Sequence, residues 1–135
     1  MTKISRRVVL LGTAVLVGMG LYAAVGADAA GTFAAQAQRP SYDSGTLELT
    51  GHGSYTTART HTELKVTVCL EKRLRGRSFS VRCATGTGTG ERVAAEVAVP
   101  GCVKGTWRTT ANGEARNKKG AWVHRTSAAS APFRC

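Results

Sequence analysis

From residue 45 onward, apolar and polar positions alternate with the two-residue period of a β-strand. Leu47 and Leu49 alternate in GTLELTGHG, and TELKVTVCLEK keeps the same period over residues 63–72. SFSVRCA follows a turn containing Gly76, and ERVAAEVAVPG sets Val93, Ala95, Val97 and Val99 on one face before Pro100 and Gly101 end it. The Ala and Glu content of that segment also suits a short helix, but its alternation favours a strand. KGTWRTTA and GAWVHRTSA complete the set, separated by NGEARNKKG, in which Asn112-Gly113 and Lys119-Gly120 punctuate turns. Short strands at this spacing predict an all-β domain over residues 45–135, a small antiparallel β-sandwich of about six or seven strands.

The first residues follow a different pattern. MTKISRR supplies Lys3, Arg6 and Arg7, and an uncharged run over residues 8–27 precedes Asp28, which is the layout of an export signal. Ala27-Asp28-Ala29 and Ala35-Gln36-Ala37 both fit a cleavage site; cleavage after Ala29 is the first expectation and after Ala37 the second. A run of roughly 20 residues is also long enough to span a bilayer, so anchoring through residues 8–27 is the alternative. SRRVVLL has the form of a twin-arginine export motif, although two arginines also serve as plain n-region charge. Residues 1–29 are therefore expected to be a signal. Residues 30–44 (GTFAAQAQRPSYDS from 31 onward) lack periodicity and are expected to be a flexible linker.

Export places all four cysteines, Cys69, Cys83, Cys102 and Cys135, in an oxidising compartment, where an even count implies two disulfides. Four cysteines allow three connectivities; Cys69 and Cys83 flank one predicted hairpin and Cys102 and Cys135 bracket another, so these two pairs are expected. The strand faces resist the first pair. Cys69 lies opposite in face to Val66, Val68 and Leu70, whereas Cys83 shares a face with Phe79 and Val81. A β-bulge near Arg82, or burial of both faces, would reconcile them. Closely spaced cysteine pairs are absent, which argues against a zinc site built from these residues with His52, His61 and His124, and against a redox C-x-x-C motif. No cofactor is implied. The Gly-Thr run of ATGTGTGE lacks the Lys-Ser or Lys-Thr of a phosphate loop and is expected to be a flexible hairpin connection.

VTVCLEKR, VRCATGTGTG, PGCVKGTWRTTANGEAR and a cysteine as the last residue, in a chain rich in Ala, Gly, Thr and Arg, resemble the small secreted β-sandwich proteins of high-GC actinobacteria. The likeness covers residues 62–135 and implies a fold and an extracellular location; such proteins mostly have no assigned activity. Cys102 precedes Trp107, the reverse of a tyrosine-corner order, so any likeness to immunoglobulin domains is loose.

Charge then narrows the partners. The chain is +11, and loss of Lys3, Arg6, Arg7 and Asp28 with residues 1–29 leaves +9. Cations concentrate in two predicted turns, Lys72, Arg73, Arg75 and Arg77 in one and Arg116, Lys118 and Lys119 in the other, which makes these the candidate anion-binding residues. Arginine heads are expected in water there, with Val66, Val68, Phe79 and Val81 burying apolar area beside them. Candidate partners are anionic cell-wall polymers, a membrane surface or an acidic protein; without aromatic residues between the cations, nucleic acid is disfavoured. A secreted, non-catalytic binding or structural module is the leading reading. A protease inhibitor presenting KRLRGRS is the alternative. A small hydrolase would have to use Glu63 or Glu114 with His61 or His124, and His124, on the face of Trp122 and Thr126, reads better as a partly buried structural histidine.

Overall fold

The computed structural model describes the backbone of residues 23–27 and 33–135, and the side chains of 33–58 and 63–135. These residues form seven strands and no helix: β1 (Ala23–Ala27), β2 (Phe33–Asp43), β3 (Glu48–Leu74), β4 (Arg77–Pro100), β5 (Thr106–Arg116), β6 (Trp122–Ala129) and β7 (Phe133–Arg134). All pairings are antiparallel, in the order β1-β2-β3-β5-β6, with β4 on β3 and β7 on β5. The expected all-β sandwich is present, and it is one sheet folded over on itself.

The fold-over explains why short segments were expected where longer strands run: the six predicted segments fall on four of the seven strands, β3 to β6. The first two predicted segments are halves of β3, and the next two are halves of β4. Register shifts between Thr56 and Leu64 mark where β3 bends from one layer to the other. Its first half pairs with β2 and the end of β4, and its second half with the start of β4 and β5. The two layers meet face to face: a Cβ at Gly51 would strike Leu70 and Thr109, and one at Gly53 would strike Val68 and Ala111. β1 and β6 approach each other at the far edges, so the sheet nearly closes. Between the layers lie Phe33, Ala35, Leu49, Tyr55, Leu64, Val66, Val68, Leu70, Val93, Val97, Val99 and Trp107.

Three expectations need correction. Residues 33–43, inside the stretch expected to be a flexible linker, are strand β2, with Phe33, Ala35 and Ala37 buried. Alanines carried the inward face there, and small side chains give a weak alternation signal. ATGTGTGE is no hairpin connection but the middle of β4: Gly86 and Gly88 oppose Val66 and Leu64 while Thr85 and Thr87 point outward. Glycine is needed at 86 because β4 folds back against itself, and a Cβ there would collide with the Ala94 carbonyl. Asn112-Gly113 lies inside β5 rather than in a turn, and the turn falls at residues 117–120.

The cysteines pair as expected, Cys69 with Cys83 and Cys102 with Cys135. Cys69 directly opposes Cys83, and the register slips by one residue between Leu70↔Arg82 and Glu71↔Ser80, leaving Val81 as the extra residue. That is a bulge beside Arg82, one of the two arrangements expected to reconcile the faces. Another expectation is overturned, because Phe79 and Val81 lie beyond the core and are exposed.

The n-region, the twin-arginine stretch and Asp28-Ala29 lie outside the described residues, as does the apolar run except for residues 23–27, which form β1. Both disulfides fit an oxidising compartment. Among the described residues no helix is long and apolar enough to cross a membrane.

Candidate functional site: a cationic end with exposed apolar side chains

The β3–β4 hairpin closes with a two-residue turn. Leu74 pairs with Arg77, and between them Arg75 and Gly76 have φ of 51° and 79°, the pattern of a type I′ turn. Such a turn follows the strand twist, so the hairpin projects its side chains past the core rather than folding over it. Arg73, Arg75 and Arg77 are exposed there. Lys72 departs from the expected free solvent position: its stem packs against Gly105 and its ammonium group lies 5.8 Å from the centre of the Trp107 ring.

Further cations converge on the same end, and the linear sequence scattered them. β5 starts beside the hairpin, with Thr106 opposite Arg73, and contributes Arg108, whose Nε donates to Glu71 at 2.9 Å. β7 pairs Arg134 with Thr106. The Cys102–Cys135 bond and the hydrogen bond from Cys135 N to Gly105 O (2.9 Å) tie down the loop that carries Lys104. Trp107 Nε1 donates to Val103 O at 2.8 Å and holds that loop across the end of the core. Arg82 reaches the Ala98 carbonyl, and Arg39 reaches the Pro132 carbonyl. With Lys72, Arg73, Arg75 and Arg77, nine cations among the described residues gather at this end against three acidic side chains, Asp43, Glu48 and Glu71.

Among the described residues, the exposed large apolar side chains are at this end too. Leu47 (59% exposed), Leu74 (46%), Phe79 (46%), Val81 (47%) and Val103 (54%) come from three different segments. They are drawn together by the hairpin, by Gly101 N donating to Leu47 O (2.7 Å), and by the disulfide-tethered loop. A shallow cleft of about 150 Å³ between Arg73, Ser78, Arg108 and Pro132 opens on the flank.

The second basic turn is elsewhere. Glu63 opposes Arg116 while Arg73 opposes Thr106, so the two turns lie ten strand positions apart, roughly 33 Å. Arg116 is engaged: it meets Glu63 at 3.1 Å, donates to Gly120 O at 3.2 Å and lies over the Trp122 ring. Lys118 and Lys119 remain exposed, beside a turn closed by Asn117 Oδ1, which accepts from Lys119 N and Ala121 N. Lys65 and Arg125 are both paired with Glu114, at 3.1 and 2.7 Å.

Of the residues weighed for hydrolysis, His61 has a side chain outside those described. Glu63 and Glu114 are held in those ion pairs, and His124, expected to be partly buried, is exposed, at φ 56°, stacked 4.1 Å from Phe33, with its carbonyl accepting from Tyr55. His52 instead pairs with Glu96 at 2.8 Å beside a groove of about 350 Å³ that also carries Gln36, Gln38 and Arg92. Both partners are mostly in water, where such a pair contributes little. No cluster of three metal-ligating side chains occurs among the described residues. Compared with protein-family models and with curated proteins, the chain finds no match.

Proposed function

We propose that this is a secreted, non-catalytic module held at anionic extracellular or cell-surface material through the end that carries the β3–β4 hairpin. One observation carries the reading: among the described residues, nine cations against three acidic side chains at that end, with Arg73, Arg75 and Arg77 displayed on a projecting turn. A one-signed field of this kind raises the local concentration of polyanions and speeds encounter with them. Export and the resemblance to secreted actinobacterial β-sandwich proteins belong to the same proposal and agree with two disulfides in a small domain.

The protease-inhibitor reading fits less well. A substrate-like loop would be bound in extended form, and Arg75 and Gly76 sit in left-handed conformations within a tight turn.

The test is salt dependence. Binding to phosphatidylglycerol vesicles and to soluble polyphosphate should be firm at 0.1 M salt and lost near 1 M, as the Debye length contracts from about 10 to about 3 Å. Salt-insensitive binding, or no binding to either at low salt, refutes the proposal.

A further inference from the structure

Electrostatics alone does not account for the five apolar side chains exposed among the cations. Monomeric proteins rarely gather large exposed apolar groups in one place without a partner for them. Here Leu47, Leu74, Phe79, Val81 and Val103 are brought to one end by separate segments. On the hairpin the two kinds of side chain alternate: Lys72 pairs with Phe79, and Leu74 pairs with Arg77. A soluble polyanion would satisfy the cations and leave the apolar groups in water. A second copy of the chain would cover the apolar groups and set two strongly cationic ends against each other. An anionic lipid bilayer accepts both kinds, with phosphate at the depth of the arginine heads and acyl chain just beneath it.

We infer that the β3–β4 hairpin tip and the Val103 loop insert into the interfacial region of an anionic lipid bilayer, with Leu74, Phe79 and Val103 below the phosphates, the heads of Arg73, Arg75 and Arg77 reaching back along their stems to them, and Val81, which lies beside Glu71 behind the turn, at the level of the phosphates. This rests on the anionic-surface reading above and specifies lipid as the surface. The tip is shaped for insertion at little backbone cost. Its type I′ turn is closed, the Cys69–Cys83 bridge sits five residues below Leu74, and the Cys102–Cys135 bridge holds the neighbouring loop, so little ordering is left to occur at the membrane.

A reporter placed at the tip tests this directly. Phe79→Trp, with both disulfides intact by mass and thermal stability matched to the parent, should blue-shift on phosphatidylglycerol vesicles and be quenched by bromine-labelled acyl chains. The parent's Trp107 is buried beneath the loop and Trp122 lies at the opposite end, so the parent supplies the background. Leu74→Ser combined with Phe79→Ser should weaken vesicle binding roughly tenfold or more while changing polyphosphate binding by less than about twofold, since two apolar side chains lose their burial and no charge changes. If the reporter is neither shifted nor quenched on vesicles that nevertheless retain the protein, adsorption is superficial: lipid insertion is overturned and the electrostatic reading stands. If neither vesicles nor polyphosphate are bound, both fall. Concentration-dependent dimerisation that the double serine variant abolishes, without vesicle insertion, would assign the apolar end to self-association and overturn the inference.

Discussion

Gly113 sets the spacing between the two layers, and replacing it by Ala should be among the most damaging single-methyl additions in the protein. An ideal Cβ at this position overlaps the ring carbons of Tyr55, far closer than real contacts allow, so the ring would have to move. It has nowhere to go. Tyr55 is fully buried, stacked 6.1 Å from Phe33, and its hydroxyl donates to the His124 carbonyl. Overpacking of this kind costs about 1–3 kcal/mol, and displacement of the hydroxyl adds about 0.5–1.5 kcal/mol, giving roughly 3 kcal/mol. For a domain near 100 residues that corresponds to a loss of about 15 °C in Tm. Gly88→Ala is the matched control, because its nearest neighbour is the Val93 methyl at 3.9 Å, and it should shift Tm by no more than a few degrees. Differential scanning calorimetry on the oxidised proteins reads both. A double-mutant cycle sharpens the point: Gly113→Ala in a Tyr55→Leu background should cost much less than in the parent, as the clash is then absent. Equal losses for Gly113→Ala and Gly88→Ala, or full additivity with Tyr55→Leu, would refute the packing argument.

Paired Cys102→Ser and Cys135→Ser substitutions should lower stability by about 3–4 kcal/mol, the chain-entropy value for a 33-residue separation, in a reversible denaturant titration. Alkylation without reduction should label none of the four cysteines, and proteolytic peptides linked from Cys69 to Cys102 would contradict the pairing. A chain beginning at residue 30 should fold, whereas one beginning at residue 38 should not, because it lacks Phe33, Ala35 and Ala37 and leaves a hole in a domain of modest stability; circular dichroism distinguishes them, and a folded residue-38 chain would remove β2 from the core. Trypsin should not be titrated by substoichiometric protein; stoichiometric inhibition that Arg75→Ala abolishes would revive the inhibitor reading.

Much of the architecture was legible because side-chain alternation reports directly on strands. It located the two halves of β3, around Leu49 and from Glu63 to Lys72, and β4 from Val93 to Val99, while the order of the cysteines around the predicted hairpins pointed to both disulfides. The conflict between the faces of Cys69 and Cys83 pointed to a bulge near Arg82 or to burial of both faces, and the structure has the bulge, at Val81. Two kinds of element escaped. β2 and the middle of β4 present alanine or glycine inward, since a folded-over sheet brings backbone against backbone there, and small residues carry almost no hydropathy contrast. The candidate site was half legible. The hairpin cations are contiguous in sequence, but Arg108, Arg134, Lys104 and Leu47 join them only through pairing of β5 with β3, β7 with β5, and the hydrogen bond from Gly101 to Leu47. Phe79 and Val81 share the alternation of core residues, and only the projection of the hairpin past the core leaves them in water.

Two variants of identical net charge test the central claim most directly: Arg73, Arg75 and Arg77 changed to Gln, against Lys118, Lys119 and Arg125 changed to Gln. All six side chains are exposed, so thermal stability should change little in either variant. In co-sedimentation with phosphatidylglycerol vesicles at 0.1 M salt, the hairpin variant should lose most of its binding and the opposite-end variant should keep most of it. Equal losses would mean that overall charge, not this end of the sheet, governs association, and retention by the hairpin variant would contradict the account outright.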